Sequence, residues 1–439
     1  MLPAVNSVCF QDGYFFFTVG DGRTFASPIG FTTQGSTPFN ALTFIAAQAK
    51  ADVTLLRGIA FSGVLWLFTT GHCEIWQNTA QPFPAFPYSR LIVLEFGLVQ
   101  PNAIAGWEVG FGELLWVAQD FGVYWSPPGA FSGGAPTKVS SPDLEKLIEA
   151  QVKLGNTLEA WVYMFAGKKF WVLNSPAWSW EINLTTKRWN ERSSLFGGLQ
   201  AQYRGTGGHP AFGKWITGDR QSGDLLFIDT QNFTERGTPL LMRVESGPVK
   251  DFPNNIRIAR GDFDFTMGTG IAVGNFTQAV LGTSAGAVSG GGNLVRLFLL
   301  DTSQMRTNDT VNVSGVFGTT EANGSFQINV IDDQHIDLKG TLFVNTWTSG
   351  GTVVDVTSPP NAQQPTCAVS VSKDGGITWG NPAVRAIGAQ QKTQRQRVSV
   401  KNMGLSGPMG DRWRVDITDP VYAAFLGGTQ SSDPREVGT

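Results

Sequence analysis

The chain has 439 residues, including 53 Gly, 23 Pro, 14 Trp and 31 Phe, and only 15% of its residues are charged. This composition favours many short strands joined by tight turns, in a chain too long for one ordinary compact core. Lys and Arg total 32 against 35 Asp and Glu, and the net charge of −3 argues against tight nucleic-acid binding.

Cysteine usage and the N-terminus narrow the class further. Cys9, Cys73 and Cys367 are widely spaced, so neither a disulfide framework nor a zinc motif is readable, and we expect no metal and no cofactor. The first ten residues lack the pattern of a signal peptide, and no apolar run reaches the roughly 18 residues of a membrane span. We therefore expect synthesis and assembly in the cytoplasm, without a membrane anchor.

An aromatic hairpin recurs along the chain: an apolar strand, a short turn, and a second strand that ends near a Trp or large apolar residue. The copies lie at 14–29, 64–76, 114–125, 169–189, 214–229 and 367–379. A spacing of roughly 45 to 55 residues between the early copies is typical of four-stranded propeller blades. We predict an all-β protein, a β-propeller of about six blades, with a blade core that contains Trp66, Trp76, Trp116, Trp125, Trp171 and Trp189.

One helix is predicted after the third hairpin. Ser141 is a suitable N-cap and Pro142 suits the first helical position, where no amide donor is needed. Apolar residues at helical spacing form one face, namely Leu144, Leu147, Ile148 and Val152. The pattern fits a helix on the rim of the third blade and equally a surface helix without a partner.

From about residue 270 to 362, Gly, Ser, Thr and Asn dominate and Trp347 is the only Trp. Short strands are predicted here and form a small barrel or sandwich, at 293–300, 309–313, 324–330, 335–338 and 351–354. The segments 309–315, 323–328 and 348–353 resemble the small β-barrel inserted in phage tail proteins. We expect propeller at 1–269, an inserted barrel at 270–362, closing propeller strands at 363–428 and a flexible tail at 429–439, with 289–292 and 358–365 as connectors.

The segment 372–379 fits the pattern S-x-D-x-G-x-T-W and resembles the Asp-box hairpin of sialidases and other propellers. Its residues are Ser372, Asp374, Gly376, Thr378 and Trp379. In this turn Asp374 accepts hydrogen bonds from its own backbone, the glycines allow positive φ, and Trp379 packs between strands. The motif therefore supports a propeller and does not indicate catalysis.

Other signs of chemistry are weak. A sialidase would need an arginine cluster and a Tyr–Glu pair at the propeller centre, and the sequence alone shows no such set. His72, His209 and His335 are far apart in sequence and are better explained as polar strand residues than as bases or ligands. We expect no catalytic and no metal-binding residues, and not an enzyme, while a sialidase-like glycan-processing propeller and a glycan-binding scaffold stay as alternatives.

Motif order carries a second resemblance. The segments 12–16, 39–44, 74–76, 86–90 and 138–141, followed by 372–379, 386–388, 395–400, 403–404, 412–415 and 417–420, resemble the ordered blade signatures of phage tail nozzle, or packaged DNA stabilization, proteins. The resemblance covers most of the chain outside the inserted barrel. Family members usually carry further N-terminal strands before the segment that begins here at residue 12, so we expect either an N-terminal blade that is incomplete or built differently, or a shortened chain.

The resemblance implies a structural tail protein of a short-tailed phage. It implies a homo-oligomeric ring, expected to be a hexamer, below the portal and its adaptor, which retains the packaged genome and conducts double-stranded DNA at ejection without sequence-specific binding. Further expected partners are a tail fibre, spike or needle protein, and the expected location is the virion tail. A mildly acidic channel wall fits this role, because weak repulsion lets DNA slide.

Overall fold

The computed structural model describes residues 3–31, 40, 42–46, 54–82, 84–108, 110–129, 136–196, 199–229, 232–236, 238–249, 257–267, 277–302, 305–356, 365–388, 395–406 and 409–432. Within these ranges the protein is almost entirely β, and its sheets are antiparallel, so the predicted all-β class is confirmed. The chain divides into two compact units, Met1–Thr230 and Gln231–Thr439.

The first unit is a series of antiparallel meanders. The first sheet contains β1 (Val5–Gln11), β2 (Tyr14–Val19), β3 (Arg23–Ala26) and β4 (Phe44–Ala46). The second sheet contains β5 (Leu55–Phe61), β6 (Val64–Thr69), β7 (Cys73–Asn78) and β8 (Tyr88–Leu94). The third sheet contains β9 (Ile104–Ala105), β10 (Leu114–Val117), β11 (Val123–Ser126) and β12 (Thr137–Lys138).

Two further sheets follow in the described part of this unit. The fourth sheet contains β13 (Glu159–Phe165), β14 (Lys168–Asn174), β15 (Ser179–Asn183), β16 (Arg188–Phe196) and β17 (Leu199–Gln202). The fifth sheet contains β18 (Gly205–Ala211), β19 (Lys214–Asp219) and β20 (Leu225–Phe227). In all five sheets the strands pair in chain order, as they do in propeller blades.

Three of the four pairs of successive sheets contact each other through their first strands. Strand β1 lies against β5, β9 against β13, and β13 against β18. Sheets that converge on their first strands and spread outward through their later strands have the arrangement of propeller blades around an axis. The first unit is therefore built from β-propeller blades, and the first sheet has four strands because β1, which the sequence analysis did not predict, precedes the hairpin at residue 14.

A two-residue turn joins the first and second strands in four of these sheets. In each turn a residue with φ near +50° precedes a glycine with positive φ, at Asp12–Gly13, Ser62–Gly63, Ala166–Gly167 and Phe212–Gly213. Positive φ at both positions is the type I′ geometry, whose twist matches that of antiparallel strands. A glycine at the second position of this turn therefore recurs from blade to blade, as the tryptophans do.

Helix α1 (Pro142–Lys153) links the third and fourth sheets. The Ser141 hydroxyl accepts a hydrogen bond from the Leu144 backbone N–H at 3.4 Å, so the predicted cap is present. Leu144 and Ile148 are buried in the same core as the third sheet. Of the two predicted alternatives, the helix therefore packs on the third blade and is not a surface helix without a partner. The predicted apolar face is too wide, because the Leu147 side chain is 40% exposed.

The second unit has a different organisation. Its strands in chain order are β21 (Thr234–Glu235), β22 (Thr238–Pro239), β23 (Met242–Glu245), β24 (Arg257–Met267), β25 (Thr277–Ala279), β26 (Gly282–Ser289), β27 (Gly292–Phe298), β28 (Thr310–Ser314), β29 (Gly324–Val330), β30 (His335–Leu338), β31 (Thr352–Asp355), β32 (Thr366–Ser372), β33 (Ala383–Ala386), β34 (Arg395–Leu405), β35 (Arg412–Ile417) and β36 (Ala423–Ser432).

Two sheets of this unit bring distant segments together. One, which we call the four-stranded closing sheet, has the order β23-β35-β32-β33, and the other, the three-stranded closing sheet, has the order β34-β24-β36. They share a core of aromatic and branched residues that includes Phe263, Phe265 and Trp413. Strand β36 continues to Ser432, so a tail beginning at 429 is wrong for its first four residues, and 433–439 lie outside the described residues.

Strands β25 to β31 form the inserted barrel. Their order is β25-β31-β28-β29-β30-β27-β26, so β25 and β26 occupy opposite edges of the sheet. Only Val280 and Leu281 separate these two strands in the chain, and their N–H groups donate to the carbonyls of Gly351, which precedes β31, and Phe298, at the end of β27. One bent strand thus closes the sheet. Residues 289–292 are the turn between β26 and β27 and not a connector. Residues 358–364 of the second predicted connector lie outside the described residues.

Candidate functional site

The six predicted blade-core tryptophans fall into two groups. Trp66, Trp116 and Trp171 are at most 1% exposed and belong to one continuous core that spans the second, third and fourth sheets. The other three use their indole N–H groups, which donate hydrogen bonds to Glu74 (from Trp76, 3.0 Å), Glu113 (from Trp125, 2.8 Å) and the Val139 carbonyl (from Trp189, 2.7 Å). Trp76 is buried, whereas Trp125 and Trp189 are half-buried.

One arrangement of polar groups recurs in the first unit. In it, a carboxylate accepts a hydrogen bond from an aromatic N–H or O–H group and also pairs with a Lys or Arg side chain, and we call it the aromatic–carboxylate clasp. Glu113 accepts from Trp125 and pairs with the Lys169 ammonium at 3.2 Å, which joins the third and fourth sheets. Equivalent sets are Glu74 with Trp76 and Arg90, Asp120 with Tyr124 and Lys138, and Glu181 with Tyr163 and Arg192. The repetition indicates a structural role for these polar groups.

The Tyr163–Glu181–Arg192 set contains a Tyr–Glu pair and one arginine, which is part of what a sialidase-like site would need, and no sequence signal marked it. The Tyr163 hydroxyl donates to the Glu181 carboxylate at 2.7 Å, and the Arg192 guanidinium donates to the Tyr163 oxygen at 3.0 Å. Burial raises the pKa of Tyr163 well above its usual range. A phenol that is 2% exposed and stays protonated is a poor nucleophile, so this geometry favours the clasp over catalysis.

The Asp-box turn lies in the loop between β32 and β33. Asp374 accepts hydrogen bonds from the backbone N–H groups of Ile377 and Thr378, at 3.0 and 2.9 Å, and Ser372 bridges the turn through its hydroxyl. The Thr378 hydroxyl and these amides hold the pKa of Asp374 well below its usual range. Gly375 and Gly376 both have positive φ, which explains the glycine pair.

Trp379 does not pack between strands as expected. It is half-buried, and the Arg414 guanidinium lies 3.8 Å from its ring centroid. Arg414 also donates to Glu245 on β23 at 2.7 Å, and Arg412 donates to the Gly375 carbonyl at 3.2 Å. Two arginines of β35 therefore fasten the Asp-box turn to the opposite edge of the four-stranded closing sheet, and no sequence signal marked Glu245.

A pocket of about 190 Å³ opens beside this network, between the two closing sheets. Its walls are mainly apolar and come from β23, β24, β35 and β36, with Phe263, Trp413 and Phe425 supplying the aromatic surface. Polar groups at its border come from Glu245, Ser246, Thr429 and Gln430. The Trp413 indole donates to Gln430 at 2.8 Å, which fixes one wall.

The three histidines lie in separate places. His72 is buried beside Glu74 in the second sheet, His209 is exposed on β18, and His335 lies on the barrel at 2.6 Å from Asp332. Across the part of the chain that the structure describes, no three His, Cys, Asp or Glu side chains are grouped to hold a metal ion. Among the same residues, no helix has both the length and the apolar character of a membrane span.

Comparisons with known proteins add little. No family model and no curated protein matches the chain. Among solved structures, the extracellular domain of a putative one-component system from B. thetaiotaomicron aligns at 10% identity with a TM-score of 0.29. The alignment covers 67% of this chain and only 38% of that structure. The dihydro-haem d1 dehydrogenase NirN aligns at 9% identity (TM-score 0.30, 78% and 67% coverage), and the N-terminal domain of Nup159 at 11% (0.22, 81% and 76%). Likenesses this weak carry no argument about function.

Proposed function

We propose that this protein is the tail nozzle of a short-tailed phage, a ring subunit below the portal and adaptor that retains packaged DNA and conducts it at ejection. One observation carries the proposal: the family-like motifs occur in the family's order, and those within the described residues lie on or beside strands of the blades and closing sheets. Residues 12–16 form the first blade turn and β2, 74–76 lie on β7, and 412–415 lie on β35. The buried Tyr163 hydroxyl, whose pKa is raised, fits a structural role.

Native mass spectrometry of the purified chain, with and without its adaptor, tests the proposed assembly. We expect a closed ring, because identical head-to-tail contacts that close produce cyclic symmetry. The expected number of six copies is what the family resemblance implies. A chain that stays monomeric under all conditions, with adaptor present, would instead favour a scaffold propeller that acts alone.

The barrel is proposed to be peripheral to the ring and to contact a fibre, a spike or the host surface. Its chain leaves after β24 and returns before β32, and it has its own apolar core, which includes Val295, Ile336 and Val353. Removal of residues 275–360 should therefore leave ring assembly intact. Loss of the ring in that deletion variant, with the first unit still folded, would assign the barrel an architectural role.

Glycan processing is the alternative, and the Tyr163–Glu181–Arg192 set is the observation that favours it. A fluorogenic sialoside assay separates the two functions. A nozzle gives no turnover, whereas a sialidase-like enzyme gives turnover that Tyr163→Phe abolishes because the nucleophilic oxygen is removed. Asp374→Ala serves as a control, since that carboxylate only organises its own turn.

A further inference from the structure

Phe212 has both an unfavourable backbone conformation and an exposed aromatic side chain. It sits at the tip of the β18–β19 hairpin with φ of 52°, and its side chain is 97% exposed. Bulky residues rarely adopt positive φ, and a fully exposed aromatic ring gains nothing from burial. A residue that is strained and exposed in the free chain points to a contact made elsewhere.

The equivalent turns of other blades lack this feature. Asp12 accepts hydrogen bonds from Tyr88 and Asn78, at 2.7 and 2.9 Å, and Ser62 accepts one from the Gly129 N–H at 3.0 Å. Ala166 carries only a methyl group. Asn–Gly would suit the same geometry without strain, so local structure gives no reason for Phe212.

The pocket between the closing sheets is suited to such a ring. An apolar cavity of about 150 Å³ can hold benzene, and this pocket measures about 190 Å³. Aromatic side chains line it, and they favour tilted or offset contacts with an entering ring. Thr429 also lines the pocket, and its hydroxyl can form a hydrogen bond with the backbone of a hairpin tip.

We propose that Phe212 of one copy inserts into the Phe263–Trp413–Phe425 pocket of the next copy. Knob and pocket are different surfaces of one chain, so the contact is head-to-tail, and its repetition generates a ring when the rotation closes. The inference deepens the proposed nozzle function, on whose ring it rests, by naming the contact that joins the copies.

Phe212→Asn removes the knob and relieves the turn. We expect the variant to melt at the wild-type temperature or above, while the dissociation constant of the assembly rises on the order of 30-fold or more, as for an interface hot spot. Ala166→Asn creates the same Asn–Gly turn in the fourth sheet and should leave assembly unchanged. This opposite response of stability and assembly separates a contact residue from a folding residue.

Val249→Trp blocks the pocket from its border, where Val249 is 38% exposed. Val384→Trp, at a 56% exposed position on β33 that does not line the pocket, is the matched control. The Phe212→Asn and Val249→Trp chains should each be monomeric, and an equal mixture should give dimers only. Each mixed pair keeps one intact knob and one intact pocket, and no further copy can join.

Native mass spectrometry reads these outcomes. Dimers in the mixture and monomers in each single variant support the proposed contact. Wild-type rings formed by Phe212→Asn would overturn this contact and leave the nozzle function standing. A wild-type chain that never assembles would overturn both the contact and the ring.

Discussion

The blades of the first unit and the closing sheets of the second unit use the same kinds of strand but are assembled differently. In the five blades, each strand pairs with its neighbour in sequence. In the closing sheets, Arg243 on β23 bonds Asp416 on β35, 173 positions away, and Arg397 on β34 bonds Asp264 on β24, 133 positions away. Local pairing makes each blade a separate module, whereas the closing sheets require chain segments on both sides of the barrel.

This difference predicts that the two units respond separately to core substitutions. The largest effect is expected for Trp171→Ala, which removes a fully buried indole from the blade core and should cost about 3 to 5 kcal/mol of unfolding free energy. Trp379→Ala is the control, since that half-buried ring mainly supports Arg414 and its loss should cost about 1 kcal/mol.

The native cysteines report the two units independently. Cys73 lies in the first unit and Cys367 in the second, and burial raises the pKa of the Cys367 thiol to about 11 and that of Cys73 well above its usual range. Neither thiol should be alkylated at pH 8 until its unit unfolds. In Trp171→Ala, Cys73 should become reactive at a lower denaturant concentration and Cys367 at the wild-type one. Equal shifts for both thiols would mean that the units unfold together.

The next effect concerns the aromatic–carboxylate clasps of the blades. Glu181→Ala leaves the buried Tyr163 hydroxyl without its acceptor and removes one acceptor of the Arg192 guanidinium, and should destabilise the first unit by about 2 to 3 kcal/mol. Tyr163→Phe with Glu181→Leu removes both buried polar partners and should recover much of this loss. Denaturant unfolding measures the free energy of unfolding of each variant. A double variant as unstable as Glu181→Ala would contradict the stabilising role of the clasp.

A smaller effect is expected in the closing sheets. A methyl group at Gly261 would lie 2.7 Å from the Trp413 ring, so Gly261→Ala should cost about 1 to 2 kcal/mol through overpacking of the second unit alone. Gly427→Ala, where no atom lies within 4 Å of the added carbon, should be near neutral. Greater exposure of Cys73 in Gly261→Ala would show that the packing defect reaches the blades.

The smallest effect is local to the Asp-box turn. Because the folded-state pKa of Asp374 is depressed, its stabilising contribution is present above its unfolded pKa and is lost as pH falls through the folded value. Asp374→Asn should therefore reduce hydrogen-exchange protection of the Ile377 and Thr378 amides at neutral pH. Asp333→Asn, on the barrel surface, should leave that protection unchanged, and equal protection in Asp374→Asn would contradict the role of the carboxylate.

The same contrast explains what the sequence could predict. Hairpins such as β6–β7 and β10–β11 were located closely, because an aromatic strand, a turn and its partner are adjacent in the chain. Strand β24 was missed, since its partners β34 and β36 lie beyond the barrel and no local turn marks it. Barrel closure by the bent β25–β26 segment, and the joining of Tyr163 to Arg192, also depend on pairings that periodicity does not show.

The candidate sites follow the same rule. The Asp-box is a local motif, and its residues could be named because one short segment resembles a known pattern. The pocket needs side chains from four strands of two sheets, and Glu245 gains its role only when β23 pairs with β35. The positive φ of Phe212 was missed because the x-Gly turn signal was not followed from blade to blade.

Electron cryomicroscopy of an intact phage tail, with this chain identified in the map, tests the central claim most directly. We predict six copies arranged as a ring below the portal and adaptor, with double-stranded DNA along the ring axis. A tail that lacks this chain, or a single copy with no neighbour of its own kind, would contradict the account.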